Sequence, residues 1–379
     1  MALSTSTGGE LAAVAGGVVP IEEVHARAFT IPTEQQESDG TYQWSDHTIV
    51  IVEARAGGRT GIGYSYTHPG ARDVVNGKLA GVVQGMDALS VQAAWASMLH
   101  QMRNFGQTGI GAMAVSAVDT ALWDLKARLL EVPMVVALDA VHDSTPIYGS
   151  GGFTSYSLDQ IAGQLHGWVE AGIPRVKMKI GRDPDSDPAR LRSARNAIGD
   201  DVELYVDANG AYTRKQALEW ARIYADHQVR WFEEPVSSDD LEGLRLLRDR
   251  APGGMDIAAG EYGWNPWYFQ RMLDAGAVDC LQADVTRCLG FTGFRRVAAM
   301  CDAHTIDLSA HCAPQLSAQA CTAVWHLRHL EYFHDHVRIE HLVFDGCLEP
   351  QPGGVLVPDR SRPGLGLDVK WSDIERWTA

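Results

Sequence analysis

Residues 203–235 read ELYVDANGAYTRKQALEWARIYADHQVRWFEEP: a short apolar strand ending in Asp207, a helical segment, then a second apolar strand ending in Glu233. Short strands alternating with helical segments are the signature of βαβ units, whose strands lie parallel under a layer of helices. The rhythm extends outward in both directions. Candidate strands precede this stretch at 147–150 and 175–180, and follow it at 256–259, 279–283, 307–310 and 330–333. With 203–207 and 230–233 they make eight, which predicts a closed α/β barrel.

In such a barrel the loops after the strand ends form one concave face, so polar residues at those ends converge. Strand 175–180 carries Lys177 and Lys179, and 203–207 ends in Asp207 with Asn209 just beyond. The next strands lead into Glu233, Glu261, Asp284 and His311, and the last contains Glu331. From Lys179 to Glu331 consecutive members lie roughly 20 to 28 residues apart, about one βα unit. Singly, each has an ordinary structural reading: Asp207 as a helix cap, Glu233 as the partner of an arginine, Lys177 as a solvated strand end. Their recurrence at successive strand ends favours a functional site.

The residue types then suggest the chemistry. Asp207, Glu233 and Glu261 offer hard oxygen ligands, enough to hold one Mg²⁺ with positions left for substrate oxygens or water. An ion there, bound to a substrate carboxylate, offsets the negative charge that appears when the α-carbon loses its proton. Lys179 and His311 flank the carboxylates from opposite sides and make two opposed bases. Lys177 shares a strand face with Lys179, so its charge is expected to lower the pKa of Lys179. Asp284 is placed to bond the imidazole of His311 and fix its tautomer. Glu331 is expected to donate a proton or hydrogen bond to the substrate, provided its surroundings raise its pKa.

Ahead of the barrel, residues 20–66 alternate as strands, with 33–46 polar and read as a mobile loop. Residues 89–130 turn helical, so the first domain is expected to be α+β. The domain reading is 1–140 for this unit, 141–345 for the barrel, and 346–379 for a Gly- and Pro-rich segment returning to the first domain. Residues 1–19 read as a loose leader without the basic start of a signal peptide.

The chain is 45% hydrophobic over 379 residues, ample for a large core. A formal net charge of −16 and the absence of a basic run argue against a nucleic-acid partner. No apolar run reaches the length of a membrane span, so no membrane partner and a cytoplasmic location are expected. The six cysteines lack paired spacing; Cys288, Cys312 and Cys321 read as core filling. His326, His329, His334, Asp335 and His336 crowd together in sequence, but no spacing among them fixes a metal geometry. Ser150 to Gly152 reads as a turn, and Trp44 and His47 as lid residues that pack on the barrel or touch a ligand.

These residues resemble the mandelate racemase group of the enolase superfamily, over nearly the whole chain. The resemblance implies a (β/α)7β-type barrel capped by an α+β domain, with residues 33–46 and 64–72 as specificity loops. It implies Asp207, Glu233 and Glu261 as ligands of Mg²⁺, Lys179 as the base of a Lys-x-Lys motif, and His311 with Asp284 as a dyad. Asn209, Lys177 and Glu331 are then substrate or metal-shell contacts, and a homo-oligomer is expected. The leading expectation is a lyase that dehydrates an acid sugar, a small carboxylate. The alternative is racemisation or epimerisation of a 2-hydroxy acid by both bases at one carbon. A catalytically idle barrel leaves the full constellation without purpose, and a metal-assisted hydrolase usually needs histidine ligands or paired ions.

Overall fold

The computed structural model describes residues 17–379. The leader reading lies outside these residues as far as position 16.

Three long strands open the fold: β1 (Glu23–Ser38), β2 (Gln43–Ala56) and β3 (Arg59–Tyr66), antiparallel in the order β1-β2-β3. β-branched residues such as Ile49 and Ile51 lie on β2, at the centre of this sheet. The polar stretch expected as a mobile loop is instead the far end of the β1–β2 hairpin. After a bulge between Pro32 and Glu37 the pairing resumes as Glu37 opposite Trp44 and Ser38 opposite Gln43. Alternation fails there because both faces are in use: Glu37 and Ser38 are polar yet buried against the barrel. The turn is pinned at its tip, where Arg182 Nε donates to Asp39 O at 2.9 Å and Thr154 N to Ser38 O at 2.8 Å. A Cβ on Gly40 would lie 2.4 Å from Ala208 O, so the hairpin seats directly on a barrel strand end.

The helical run of 89–130 is two helices, Val91–Met102 and Ile110–Leu129, parted by a turn with Gly106 and Gly109 at φ 103° and 55°. The helix Ile110–Leu129 lies across β3, where Gly63 lets the backbones meet: an added Cβ would sit 2.3 Å from Ala121 N. Gly63→Ala is expected to cost about 1–3 kcal/mol, read by urea unfolding, because neither helix nor strand can give way alone.

Eight parallel strands follow: β4 (Thr145–Gly151), β5 (Arg175–Lys179), β6 (Glu203–Asp207), β7 (Val229–Glu233), β8 (Asp256–Ala259), β9 (Cys280–Ala283), β10 (Asp307–Ala310) and β11 (Leu327–Phe333). They pair in chain order, and β11 pairs back with β4 to close the barrel. The predicted barrel with its capping domain is thus the observed architecture. Inside, Tyr148, Tyr205, Trp231, Ala258 and Cys280 fill one layer, so the barrel is packed and the free space lies at its mouth.

The cap is keyed to the barrel through helix Ile110–Leu129. Ser116 Oγ accepts from Leu289 N at 2.9 Å, and Asp119 accepts from Thr292 N and Oγ1 at 2.9 and 2.7 Å. These contacts hold the start of the helix Gly290–His304, just past the loop that carries Asp284. Burial pushes the Asp119 carboxyl from its ordinary 3.8 up to about 7, against the opposing pull of those hydrogen bonds. An acid with a raised pKa favours the folded state only while protonated, so this contribution fades as pH rises from 3.8 through about 7. Melting temperature measured against pH is expected to fall across that window, and Asp119→Asn to flatten this part of the slope.

From 346 onward a short strand, β13 in chain order (Val355–Leu356), pairs antiparallel with β4, after β12 (Phe344–Asp345), which pairs with β14 (Asp368–Val369). Further on, Leu365 N donates to Asp124 in the cap helix at 2.6 Å, the Arg27 guanidinium stacks 3.4 Å from the Trp371 ring, and Ala379 N donates to Ala28 O. Among the described residues no helix is long and apolar enough to cross a membrane.

Candidate active site

Each barrel strand delivers its inward-facing residues two apart, which is how β5 places both Lys177 and Lys179 inside. Lys177 is fully buried, with Nζ 2.6 Å from Glu233 Oε1, 2.9 Å from Glu331 Oε1 and 3.5 Å from Asp207 Oδ2. It ties its own strand to β6, β7 and β11 by charge. Lys179 Nζ donates to Asp207 Oδ2. Asp207 Oδ1 in turn accepts from Asn209 N at 2.8 Å, a bond made as Asn209 turns into the left-handed region at φ 45°. Glu233 Oε2 is held from below by Trp231 Nε1 at 2.9 Å.

Ligand atoms of Asp207, Glu233 and Glu261 lie within 4.8 Å of one another, all buried. Glu261 enters from Gly260, whose Cβ would lie 2.1 Å from Gln282 O and whose φ is 133°, so only glycine fits this close turn. Two features of the surroundings fit a divalent cation at this trio. Beside the trio, Glu234 Oε1 and Asn209 Oδ1 are buried without a hydrogen-bond partner. Burial and the Asp207 charge also push Glu233 up to about 8, while burial with Glu261 and Asp207 pushes Glu234 well above the carboxylate range. The site holds more carboxylate than its lysines neutralise, the excess that a hard cation offsets.

On the other flank, His311 Nδ1 sits 2.7 Å from Asp284 Oδ2, and its Nε2 faces Glu261 Oε2 at 3.2 Å and Glu331 Oε2 at 3.4 Å. Asp284 is itself fixed, its Oδ1 accepting from Thr286 N at 2.6 Å and Oγ1 at 2.7 Å. Although burial opposes it, Cys312, Glu261 and Glu331 raise the His311 pKa well above its ordinary value. The structure therefore brings all nine predicted residues to one mouth.

Two sequence expectations differ. Lys177 does act to lower the pKa of Lys179, and burial acts the same way, but the Asp207 carboxylate outweighs both and the pKa is raised. The condition set for Glu331 as a proton donor is not met: burial alone would raise it, but Lys177, His311 and Lys179 hold its pKa below the ordinary range. Ser150, read as part of a turn, donates from Oγ to Glu331 Oε1 at 2.5 Å. Glu331 is thus an acceptor here.

The mouth opens into a cavity of about 570 Å³ roofed by the β1–β2 hairpin, by Tyr66 at the end of β3 and by residues 67–69 after it. Trp44 and His47 line it from the cap, and His47 Nε2 is held 2.8 Å from Asp335 Oδ2. Cys312, expected as core filling, lines it too. The histidine-rich stretch does not form one cluster: His326 pairs with Asp302, His329 with Ser309 inside the barrel, and His336 stacks on Tyr66 at 3.4 Å, while His334 and Asp335 meet Glu37, their ligand atoms within 4.8 Å of one another.

Sequence reasoning missed Glu234 and Arg287. Glu234 follows directly on Glu233 and adds a buried carboxyl to the trio. Arg287 spans the site, with Nε 3.4 Å from Asp284 Oδ2 and Nη1 3.7 Å from Glu261 Oε1. Its signal was its position three residues after Asp284, in the loop that follows a strand end.

The chain matches the family described as Mandelate racemase / muconate lactonizing enzyme, N-terminal domain over residues 28–138, and Enolase C-terminal domain-like over 160–373. It is 32% identical to the 3,6-anhydro-alpha-L-galactonate cycloisomerase of Streptomyces coelicolor, over 92% of this chain and 98% of that protein. It is 30% identical to the L-talarate/galactarate dehydratase of Salmonella typhimurium, over 87% of this chain and 82% of that one. The crystal structure of that dehydratase, liganded with Mg and L-lyxarohydroxamate, superposes with a TM-score of 0.86 at 25% identity, covering 100% and 96% of the two chains. A mandelate racemase/muconate lactonizing enzyme-like protein from Rubrobacter xylanophilus superposes with a TM-score of 0.93 at 58% identity, over 95% of this chain and 100% of that one.

Proposed function

The chain belongs to the mandelate racemase and muconate lactonizing enzyme group of the enolase superfamily, an enzyme family, and from that premise we propose that it dehydrates an acid sugar, an aldonate or aldarate, to a 2-keto-3-deoxy acid. The observation that carries this reading is a pair of bases on opposite flanks of one carboxylate trio: Lys179 against Asp207, and His311 with Asp284 against Glu261.

In this reading Asp207, Glu233 and Glu261 hold Mg²⁺, the ion bound in the Salmonella relative. A cation held there would supply charge stabilisation to the substrate carboxylate, and with Asp207 shared with it, Lys179 would be less strongly held in its protonated form. Lys179 or His311, whichever faces the α-hydrogen of the sugar, takes that proton. His311, charged and oriented by Asp284, delivers a proton to the β-hydroxyl as it leaves as water. Glu331, Asn209 and Lys177 set the electrostatics and hydrogen bonding around the substrate carboxylate and its neighbouring hydroxyls. The cap supplies further hydrogen-bonding groups for a polyol, among them Gln43, Ser45, Thr48 and Thr67, all lining the cavity. Its hairpin also covers the mouth and limits access of bulk water. Assembly into a homo-oligomer is proposed alongside.

A panel of aldonate and aldarate diastereomers incubated with enzyme and Mg²⁺ tests the reading, with the 2-keto acid product trapped as its semicarbazone. One or a few acids are expected to give time-dependent signal. Silence across the complete panel removes dehydration, while interconversion of 2-hydroxy acid stereoisomers without keto product moves the assignment to racemisation by the same two bases.

A further inference from the structure

We propose that His311, Cys312 and Glu331 form a second cation site, chemically distinct from the carboxylate trio and selective for thiophilic divalent ions such as Zn²⁺ and Cd²⁺. The three donor atoms form a nearly equilateral triangle. Cys312 Sγ lies 3.2 Å from His311 Nε2 and 3.3 Å from Glu331 Oε2, and those two atoms lie 3.4 Å apart. In a tetrahedral zinc site, with bonds of about 2.3 Å to sulfur and about 2.0 Å to nitrogen or oxygen, adjacent donors stand roughly 3.3–3.6 Å apart. The triangle therefore matches one face of such a tetrahedron to within a few tenths of an ångström. All three residues line the cavity, which gives an ion a route to them.

The backbone builds this arrangement just past the end of β10, where Cys312 and Ala313 adopt successive left-handed conformations at φ 49° and 44°. Ser317 Oγ donates to Cys312 O at 2.7 Å and holds the turn. Softness separates the two sites. Asp207, Glu233 and Glu261 offer only carboxylate oxygens, which suit Mg²⁺, whereas a thiolate and an imidazole favour zinc-like ions over magnesium. Binding requires the Cys312 thiol and the charged His311 imidazole, at Nε2, each to lose a proton to solvent as the bonds to sulfur and nitrogen form, with no change in oxidation state. Occupation also captures His311 Nε2, the nitrogen that lies 3.2 Å from Glu261 Oε2, so thiophilic ions block the proton-transfer chemistry of this base.

The test is a Cd²⁺ titration of the full-length protein in saturating Mg²⁺, read by the thiolate-to-cadmium charge-transfer absorbance in the ultraviolet. Cadmium on carboxylates alone gives no such band, so the trio is silent. Of the six cysteines only Cys312 lines the cavity, and Cys347 is the one other that is not fully buried. The expected result is a saturable band at one equivalent, with release of protons into weak buffer, retained in Cys347→Ser and lost in Cys312→Ser. Circular dichroism confirms that each variant folds, with Cys312→Ala as the substitute should serine disturb the turn. No band in the wild type, or an undiminished band in the folded Cys312 variant, overturns the proposal. The absorbance needs no turnover, so it stands or falls separately from the dehydratase reading.

Discussion

Lys179→Ala is expected to lower kcat by about 10²–10⁴-fold, the usual contribution of a positioned general acid or base. His311→Asn is expected to lose as much. The two losses should differ in kind. If Lys179 takes the α-proton, its alanine variant stops both exchange of that proton with D₂O and loss of water. His311→Asn would then still exchange the proton while failing to expel the hydroxyl. The reverse pattern assigns His311 as the base. Neither variant removes Lys177, whose contacts with Glu233 and Glu331 join the strands, so both should fold normally. Proton NMR in D₂O beside steady-state kinetics reads both effects, and unchanged kcat in both variants would remove this account of the bases.

The second large effect concerns the carboxylates. Glu233→Gln is expected to weaken Mg²⁺ binding sharply by calorimetry and to cut activity by about 10³-fold or more, since the cation supplies several kcal/mol of charge stabilisation. High Mg²⁺ should restore part of that loss. The fold should tolerate the change, because Glu331 and Asp207 remain as partners of Lys177 and the amide can still accept from Trp231. Asp207→Asn should behave alike for metal binding, with a further effect on Lys179, which loses its carboxylate partner. Full Mg²⁺ affinity in both variants would place the metal elsewhere.

What the sequence made legible follows from the fold's own regularity. One βα unit returns the chain to the same rim of the barrel, so residues such as Asp207, Glu233 and Glu261 announce themselves by spacing alone. The ring needs only the strand register, and that register is set by short apolar runs. Groups brought in from other parts of the chain carry no such spacing. His47 meets Asp335 across 288 residues, and Trp44 reaches the same mouth from the hairpin tip. The hairpin itself was read as a mobile loop because the polar character of Glu37 and Ser38 breaks the alternation that marks a strand. That polarity serves a buried contact with the barrel instead.

Protonation was less legible still. Lys177 was expected to lower the pKa of Lys179, yet Asp207 prevails once the distances are known. Glu331 was expected to donate a proton only if its surroundings raised its pKa, and burial acts that way, but three cationic neighbours hold it below the ordinary range. Sign and size in each case depend on which charge stands nearest, and position in the sequence does not order those distances. Cys312 belongs with these cases. As a sequence letter it is a small hydrophobe, and only the left-handed turn after β10 puts its sulfur beside His311 and Glu331.

The most direct test of the central claim is proton NMR of the Mg²⁺-loaded wild-type enzyme in D₂O with a library of acid sugars and mandelate, following the α-proton and the loss of water together. The account predicts that at least one acid sugar loses its α-proton signal and yields a 2-keto-3-deoxy product. Retention of every α-proton across the library, in enzyme shown to bind Mg²⁺, would contradict it.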